Sequence, residues 1–149
     1  MSEQVNNVEL TDVRRRQLER MQADRFICDM VGIELTEAGE GTATAELTLT
    51  PMHLNGVGIC QGGVLFSIAD YALAAAFNYT DESVVSQDVS VCYCKSVKSG
   101  KIIARAKETL RTRSTTLGDA VVTDENGVIL AHVRGRGFIL KPREVQIPN

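Results

Sequence analysis

The chain has 149 residues, 44% of them hydrophobic and 23% charged, with a formal net charge of −3. This suits a single domain with its own core. The acidic balance excludes a nucleic-acid binder driven by phosphate neutralisation, because the one basic run, Arg14-Arg15-Arg16, reads as a solvated helix face.

Cys28, Cys60, Cys92 and Cys94 form no CxxC pair, and the chain opens without a charged start followed by an apolar signal core. They read as reduced thiols of a cytoplasmic protein. The longest apolar run, 64–77, is shorter than the ~20 residues that cross a bilayer and carries Asp70. It is not a membrane span. With His53 and His132 the only histidines and no spaced Cys/His set, no metal site is expected.

Residues 1–9 are polar and read as a mobile tail. Thr11 and Asp12 can cap a helix running to about Met30, with Leu18, Met21, Arg25 and Cys28 along one side. From Ile33 the pattern turns to alternation, and 42–49 is a β-branched, period-two strand ending at Pro51. A loop rich in Gly and Asn, 51–61, leads through Gly62-Gly63 into an apolar helix reaching Tyr79.

Four more strands follow, at 83–94, 101–110, 115–123 and 128–140, with Lys98-Ser99-Gly100 and Asp124-Glu125-Asn126-Gly127 as hairpin connections. The organisation expected is a tail and short helix over 1–30, one α+β domain over 31–141 and a C-terminal tail over 142–149. In that domain a curved antiparallel sheet of five to six strands wraps one long central helix.

The helix poses the functional question. In GGVLFSIADYALAAAFNY, Asp70 is the only ionisable group apart from tyrosines. A helix apolar on every face is expected to be enclosed on all sides, and a buried carboxylate then needs a partner, a raised pKa or a chemical role. Asp70 is therefore the first catalytic candidate.

The stretch from Pro51 to Asp70 resembles the HxNxxGxxHGGxxFxxAD signature of the phenylacetate-pathway (PaaI-type) acyl-CoA thioesterases, carried here by His53, Asn55, Gly58, Gly62, Gly63, Phe66, Ala69 and Asp70. The resemblance implies the hotdog fold. It also implies a cofactor-free hydrolase whose substrate is a coenzyme A thioester, with self-association as homodimer or homotetramer and no nucleic-acid, membrane or metal partner. Gln61 departs from the pattern, standing where the family commonly has His. An amide can donate a hydrogen bond but cannot shuttle protons near neutral pH. The change bears on rate and substrate rather than on fold or site location.

Thioester hydrolysis needs an attacking water or carboxylate and a stabiliser for the carbonyl oxygen as it becomes negative. Gly62 begins the helix, so its N–H is an unpaired donor at the positive dipole end, and the resemblance implies that it is the oxyanion contact. Asp70 lies eight residues on, about 12 Å along the axis at 1.5 Å per residue. One chain cannot bring both to a single carbonyl, and an antiparallel pair of helices in a two-fold dimer can.

Asp70 would act as nucleophile or general base, with Asn55, Gln61 and Gly62 from the other protomer. Ser86 matches a family position that holds the water or the carboxylate. Substrate contacts are expected from Gly63, Phe66 and Tyr93, with Leu73 and Phe77 also lining the acyl pocket, and from Arg111 and Arg113 toward coenzyme A, Arg134 and Arg136 being weaker candidates. Asp88 and Asp119 are alternative acids, and a Cys60–His53 nucleophile is a minor reading. The rival functions are an acyl-thioester hydratase or dehydratase, a non-catalytic acyl-CoA-binding module and a purely structural oligomer.

Overall fold

Ten elements follow one another in the computed structural model, which describes residues 12–141. Helix α1 (Asp12–Gln22) leads to a π-helical turn (Phe26–Val31), strand β1 (Glu34–Gly39), strand β2 (Thr42–Thr48), a 3-10 turn (Pro51–His53) and helix α2 (Gly62–Phe77). Strands β3 (Ser83–Tyr93), β4 (Lys101–Arg111), β5 (Thr115–Asp124) and β6 (Ile129–Leu140) complete the chain. The expected tails and the Thr11 cap lie outside the described residues.

The six strands form one antiparallel sheet in the order β1-β2-β4-β5-β6-β3. The sheet is thus six-stranded, and β1 is the strand that alternation did not reveal. Its burial is irregular, and a register shift between Leu35 and Glu37 breaks the period-two pattern. Lys98-Ser99-Gly100 is not a hairpin, because β3 pairs with β6 while β4 pairs with β2 and β5. The Asp124–Gly127 turn is one: Gly127 sits at φ 80 and donates its N–H to the Asp124 carbonyl.

Helix α2 lies close against the sheet because alanines and glycines are interspersed with the larger Leu47, Ile102, Val122 and Val133 on the strand face beneath it. Ala45, Ala104, Ala120 and Ala131 are fully buried, and glycines occupy the closest approaches. A Cβ on Gly118 would sit 2.8 Å from the Phe77 ring, one on Gly135 2.9 Å from Leu73, and one on Gly137 3.4 Å from Phe77. Leu73 and Phe77 fill the core, the default role of buried apolar side chains.

The ends of a buried helix must find partners for their free backbone groups. At the C-terminal end Asn78 donates to the carbonyls of Ala74 (2.8 Å) and Val84 (3.1 Å) and accepts from the Val84 N–H at 2.8 Å, tying α2 to β3. Arg14 donates to the Asn78 carbonyl at 2.6 Å and to Gly39 at 3.2 Å. Its neighbour on α1, Gln17, donates to Thr80 at 2.9 Å.

The buried face of α1 is thus the polar pair Arg14 and Gln17, and Leu18 and Met21 are only half buried. The reading of Arg14 as part of a solvated face is corrected accordingly. Helix α1 is also shorter than expected, ending before Asp24, whose carboxylate accepts the Ile27 N–H at 3.0 Å and starts the π-helical turn.

Replacing Arg14 by Met leaves these buried carbonyls without a donor. We expect a loss of about 2–4 kcal/mol, read as a lowered denaturant midpoint at unchanged slope. Arg14→Lys should recover only part of it, having no planar fork to span Gly39 and Asn78.

Candidate active site

Not every face of α2 is covered. Gly63 is exposed, and Ser67, Asp70 and Ala74 are half buried, at helical spacing along one stripe beside β3. This corrects the expectation of a fully enclosed helix. The carboxylate sits where the apolar enclosure is incomplete.

Ser86 donates its hydroxyl to Asp70 Oδ1 at 2.9 Å. A bulge makes this contact compatible with the rest of β3. Ser86 pairs with Gly137 and Asp88 with Arg136, so Gln87 is the extra residue, and the shift turns Val89, Val91 and Tyr93 to the same face as Ser86. Burial raises the Asp70 pKa from its ordinary value, and the Ser86 hydrogen bond lowers it by a smaller amount.

At the start of α2, the Gln61 side-chain carbonyl accepts the Gly63 N–H and caps the helix. Val64 bonds back to the Gln61 backbone carbonyl at 2.9 Å. The Gly62 N–H has no acceptor among the described residues. Tyr93, half exposed, donates its hydroxyl to the Gly62 carbonyl at 2.9 Å, and a Cβ on Gly62 would lie 3.0 Å from that ring. Phe66 is half buried one turn further along.

Asn55 organises the preceding loop. Its Oδ1 accepts the N–H groups of Val57 (3.1 Å) and Ile59 (3.2 Å), an Asx turn that brings Leu54 and Cys60 into a β-bridge. His53 is committed elsewhere. The Thr50 N–H donates to its Nδ1 at 2.9 Å, so Nε2 carries the proton and donates to the Val31 carbonyl at 2.7 Å. With His53 so held and burial raising the Cys60 thiol, the Cys60–His53 nucleophile has no geometric basis.

Of the two arginines expected toward coenzyme A, one is bound within the chain. Arg111 donates to Glu108 (2.9 Å), to the Phe77 carbonyl (3.1 Å) and to Glu82 (3.4 Å), and it stacks over Tyr79 at 5.1 Å. It caps the far end of α2. Arg113 is exposed in the β4–β5 turn. Asp119 is paired with Arg134 at 3.1 Å, and Asp88 lies exposed on the strand face opposite Ser86, so neither competes with Asp70. Arg136 is likewise exposed.

The sequence did not indicate a cavity of ≈ 340 Å³ that includes Asp70 in its wall, between α2, β3 and the α1 region. A second space, of ≈ 410 Å³, lies near Met30, Met52 and His53 and does not reach Asp70. Among the described residues no group of three His, Cys, Asp or Glu side chains could hold a metal ion, and no helix is long and apolar enough to cross a membrane.

Residues 57–131 match the thioesterase superfamily. The chain is 29% identical over 107 residues to the acyl-coenzyme A thioesterase PaaI of Escherichia coli K12, covering 71% of this chain and 76% of that one. It is 36% identical over 81 residues to a putative esterase of Archaeoglobus fulgidus, covering 54% of this chain and about half (53%) of the relative's length. The structure of the E. coli PaaI protein from the phenylacetic acid degradation operon superposes with a TM-score of 0.81 at 24% identity, over 89% of this chain and 96% of that one. With the motif, the sheet order and the family match in agreement, the chain belongs to the thioesterase superfamily as a hotdog thioesterase of the PaaI type.

Proposed function

We propose that the protein hydrolyses acyl-coenzyme A thioesters to free acid and coenzyme A, at two equivalent sites of a homodimer in which Asp70 of one protomer faces Gly62 of the other. One observation carries this reading: the described residues of a single chain hold a half-buried carboxylate, tethered by Ser86, and an open helix-start N–H, eight residues apart. Each is half of a site. The free edge of β3, eleven residues long, supports the dimer, since two such edges pairing antiparallel would set the α2 helices side by side. A homotetramer would repeat the same dimer. The free cysteines support a reducing, cytoplasmic setting.

In the general-base route a water at Asp70 attacks the carbonyl carbon as the carboxylate takes its proton. The carbonyl electrons move to oxygen, where the partner subunit's Gly62 N–H and the helix dipole stabilise the charge. The C–S bond then breaks, and the thiolate leaves with the proton from Asp70. In the nucleophilic route the carboxylate attacks the carbonyl carbon, and the C–S bond breaks to expel the coenzyme A thiolate and leave a mixed anhydride. Water then cleaves the anhydride to the free acid and the Asp70 carboxylate, the water's remaining proton going to the thiolate. Neither route calls on a cofactor beyond the coenzyme A of the substrate.

Gln61 holds the helix start and Asn55 the loop before it, so both position Gly62. The hydratase reading would need a histidine base, and His53 is locked between Thr50 and Val31. For a non-catalytic module or a purely structural oligomer, a desolvated Asp70 would be destabilising without return.

Asp70→Asn should lower kcat by about 10²–10⁴. Gly62→Pro should lower it by about 10²–10³, because proline is tolerated at a helix's first position yet lacks the N–H. Unfolding and reassembling the two variants together should restore about a quarter of wild-type activity, since half the dimers are mixed and each carries one intact site. Recovery of nothing in verified mixed dimers would sink the shared site.

The pH profile gives a separate check. With burial raising the Asp70 pKa, kcat/KM is lost on acidification at a pH above the ordinary carboxylate range. Ser86→Ala removes the opposing hydrogen bond, so this acid limb should move to higher pH. An unmoved limb would separate Ser86 from the titrating group.

Stability should move in the opposite sense to activity. Because folding raises this pKa, the native state holds the proton more tightly and stability falls as pH rises through the folded value. Asp70→Asn should therefore melt higher than wild type at pH 8, with the difference closing as pH falls below the Asp70 pKa.

A further inference from the structure

Every polar side chain bordering the ≈ 340 Å³ cavity beside Asp70 is already bonded to protein. The Tyr71 hydroxyl donates to the Met21 carbonyl at 3.0 Å, and Asn78 is spent on Ala74 and Val84. Gln17 is held by Thr80 (2.9 Å), Arg20 by the Ser83 hydroxyl (3.0 Å) and Asp24 by the Ile27 N–H (3.0 Å). Met21, Ile27, Ala74, Val84 and Leu140 supply the remaining contact surface. The buried polar groups are thus occupied, and the charged Arg20 and Asp24 stand exposed at its rim, so the inner wall a ligand would meet is mostly apolar. An apolar ligand loses nothing by entering.

From this we infer that the cavity is the acyl pocket and that it takes an unsubstituted acyl chain of about ten to fourteen carbons, with the α1 region as its outer wall. The size follows by comparison, since a cavity of about 150 Å³ holds a benzene ring and this one is rather more than twice as large. The position follows from continuity: a thioester carbonyl poised at Asp70 has its acyl side against this opening. The inference rests on Asp70 being the catalytic carboxylate. It adds a determinant of chain length that lies outside the signature motif, in residues 21–27 and at Ala74.

Ala74 is half buried on the open stripe of α2, one turn beyond Asp70, so Ala74→Leu should fill the cavity without disturbing the helix. Met21→Ala should enlarge it from the other wall. The readout is the ratio of kcat/KM for decanoyl-CoA to that for butanoyl-CoA, to which each buried methylene contributes about fourfold. Wild type should favour decanoyl-CoA, Ala74→Leu should lower the ratio at least tenfold (about two methylenes' worth), and Met21→Ala should move the optimum to longer chains.

Decanoyl-CoA binding, measured by calorimetry on wild type and Ala74→Leu, separates this inference from the hydrolase reading. Turnover with a ratio unmoved in both variants overturns the pocket and leaves the hydrolase standing. Absence of turnover, with binding weakened at least tenfold by Ala74→Leu, upholds the pocket and overturns the hydrolase. Neither turnover nor binding overturns both.

Discussion

Everything in this fold depends on closing off the ends of α2. An apolar helix gains from burial along its length, but its last carbonyls and first N–H groups lose water with no automatic replacement. At the C-terminal end three side chains from distant parts of the chain converge: Arg14 from α1, Asn78 from the helix itself and Arg111 from β4. Two of them are cations at the negative end of the helix dipole, so hydrogen bonding and field act in the same direction. That accounting explains why a buried arginine occupies a helix face where sequence periodicity called for leucine or methionine.

The other end is treated differently. Gln61 takes the Gly63 N–H, while the Gly62 N–H is left open beneath Tyr93. An unpaired donor at a helix start is a defect for stability and an asset for binding developing negative charge. Asp70 carries the same tension, desolvated enough to raise its pKa yet restrained by Ser86. The open Gly62 N–H and the Ser86-restrained Asp70 are the two halves of the proposed chemistry, and the covered C-terminal end shows that the fold can close a helix when nothing is to be bound there.

Much of this was legible in the residues. The GGVLFSIADYALAAAF run, the Asn-Gly turn at Asn126-Gly127 and the strands β2 and β4 to β6 follow from composition and local period, because neighbours in sequence decide them. What escaped was decided by partners far along the chain. Strand β1 has no clean alternation because its register shifts within the pairing to β2. The burial of Arg14 depends on carbonyls more than sixty residues away. The role of Arg111 changes for the same reason, since a basic residue near a hairpin looks free until Glu108, Glu82 and Phe77 are seen to surround it. At the site, Asp70 and Ser86 were legible as residues, whereas their contact needs the bulge at Gln87 and the cavity needs α1, neither of which has a local signal.

Gln61 shows how one departure from the signature that the chain resembles can redistribute work at the helix start. A glutamine at the N-cap reaches the Gly63 N–H with its side-chain carbonyl, which secures the helix start without an ionisable group. The same contact occupies the Gly63 N–H, so in the proposed chemistry stabilisation of the oxyanion would fall to the single N–H of Gly62 and the helix dipole behind it. A thioester tolerates that economy better than an ester or amide would, because the thiolate departs with little help once the tetrahedral state forms. With His53, the site loop's histidine, held between Thr50 and Val31, the proposed chemistry assigns proton transfer to Asp70, and the environment that raises its pKa is the one that makes a carboxylate fit for it.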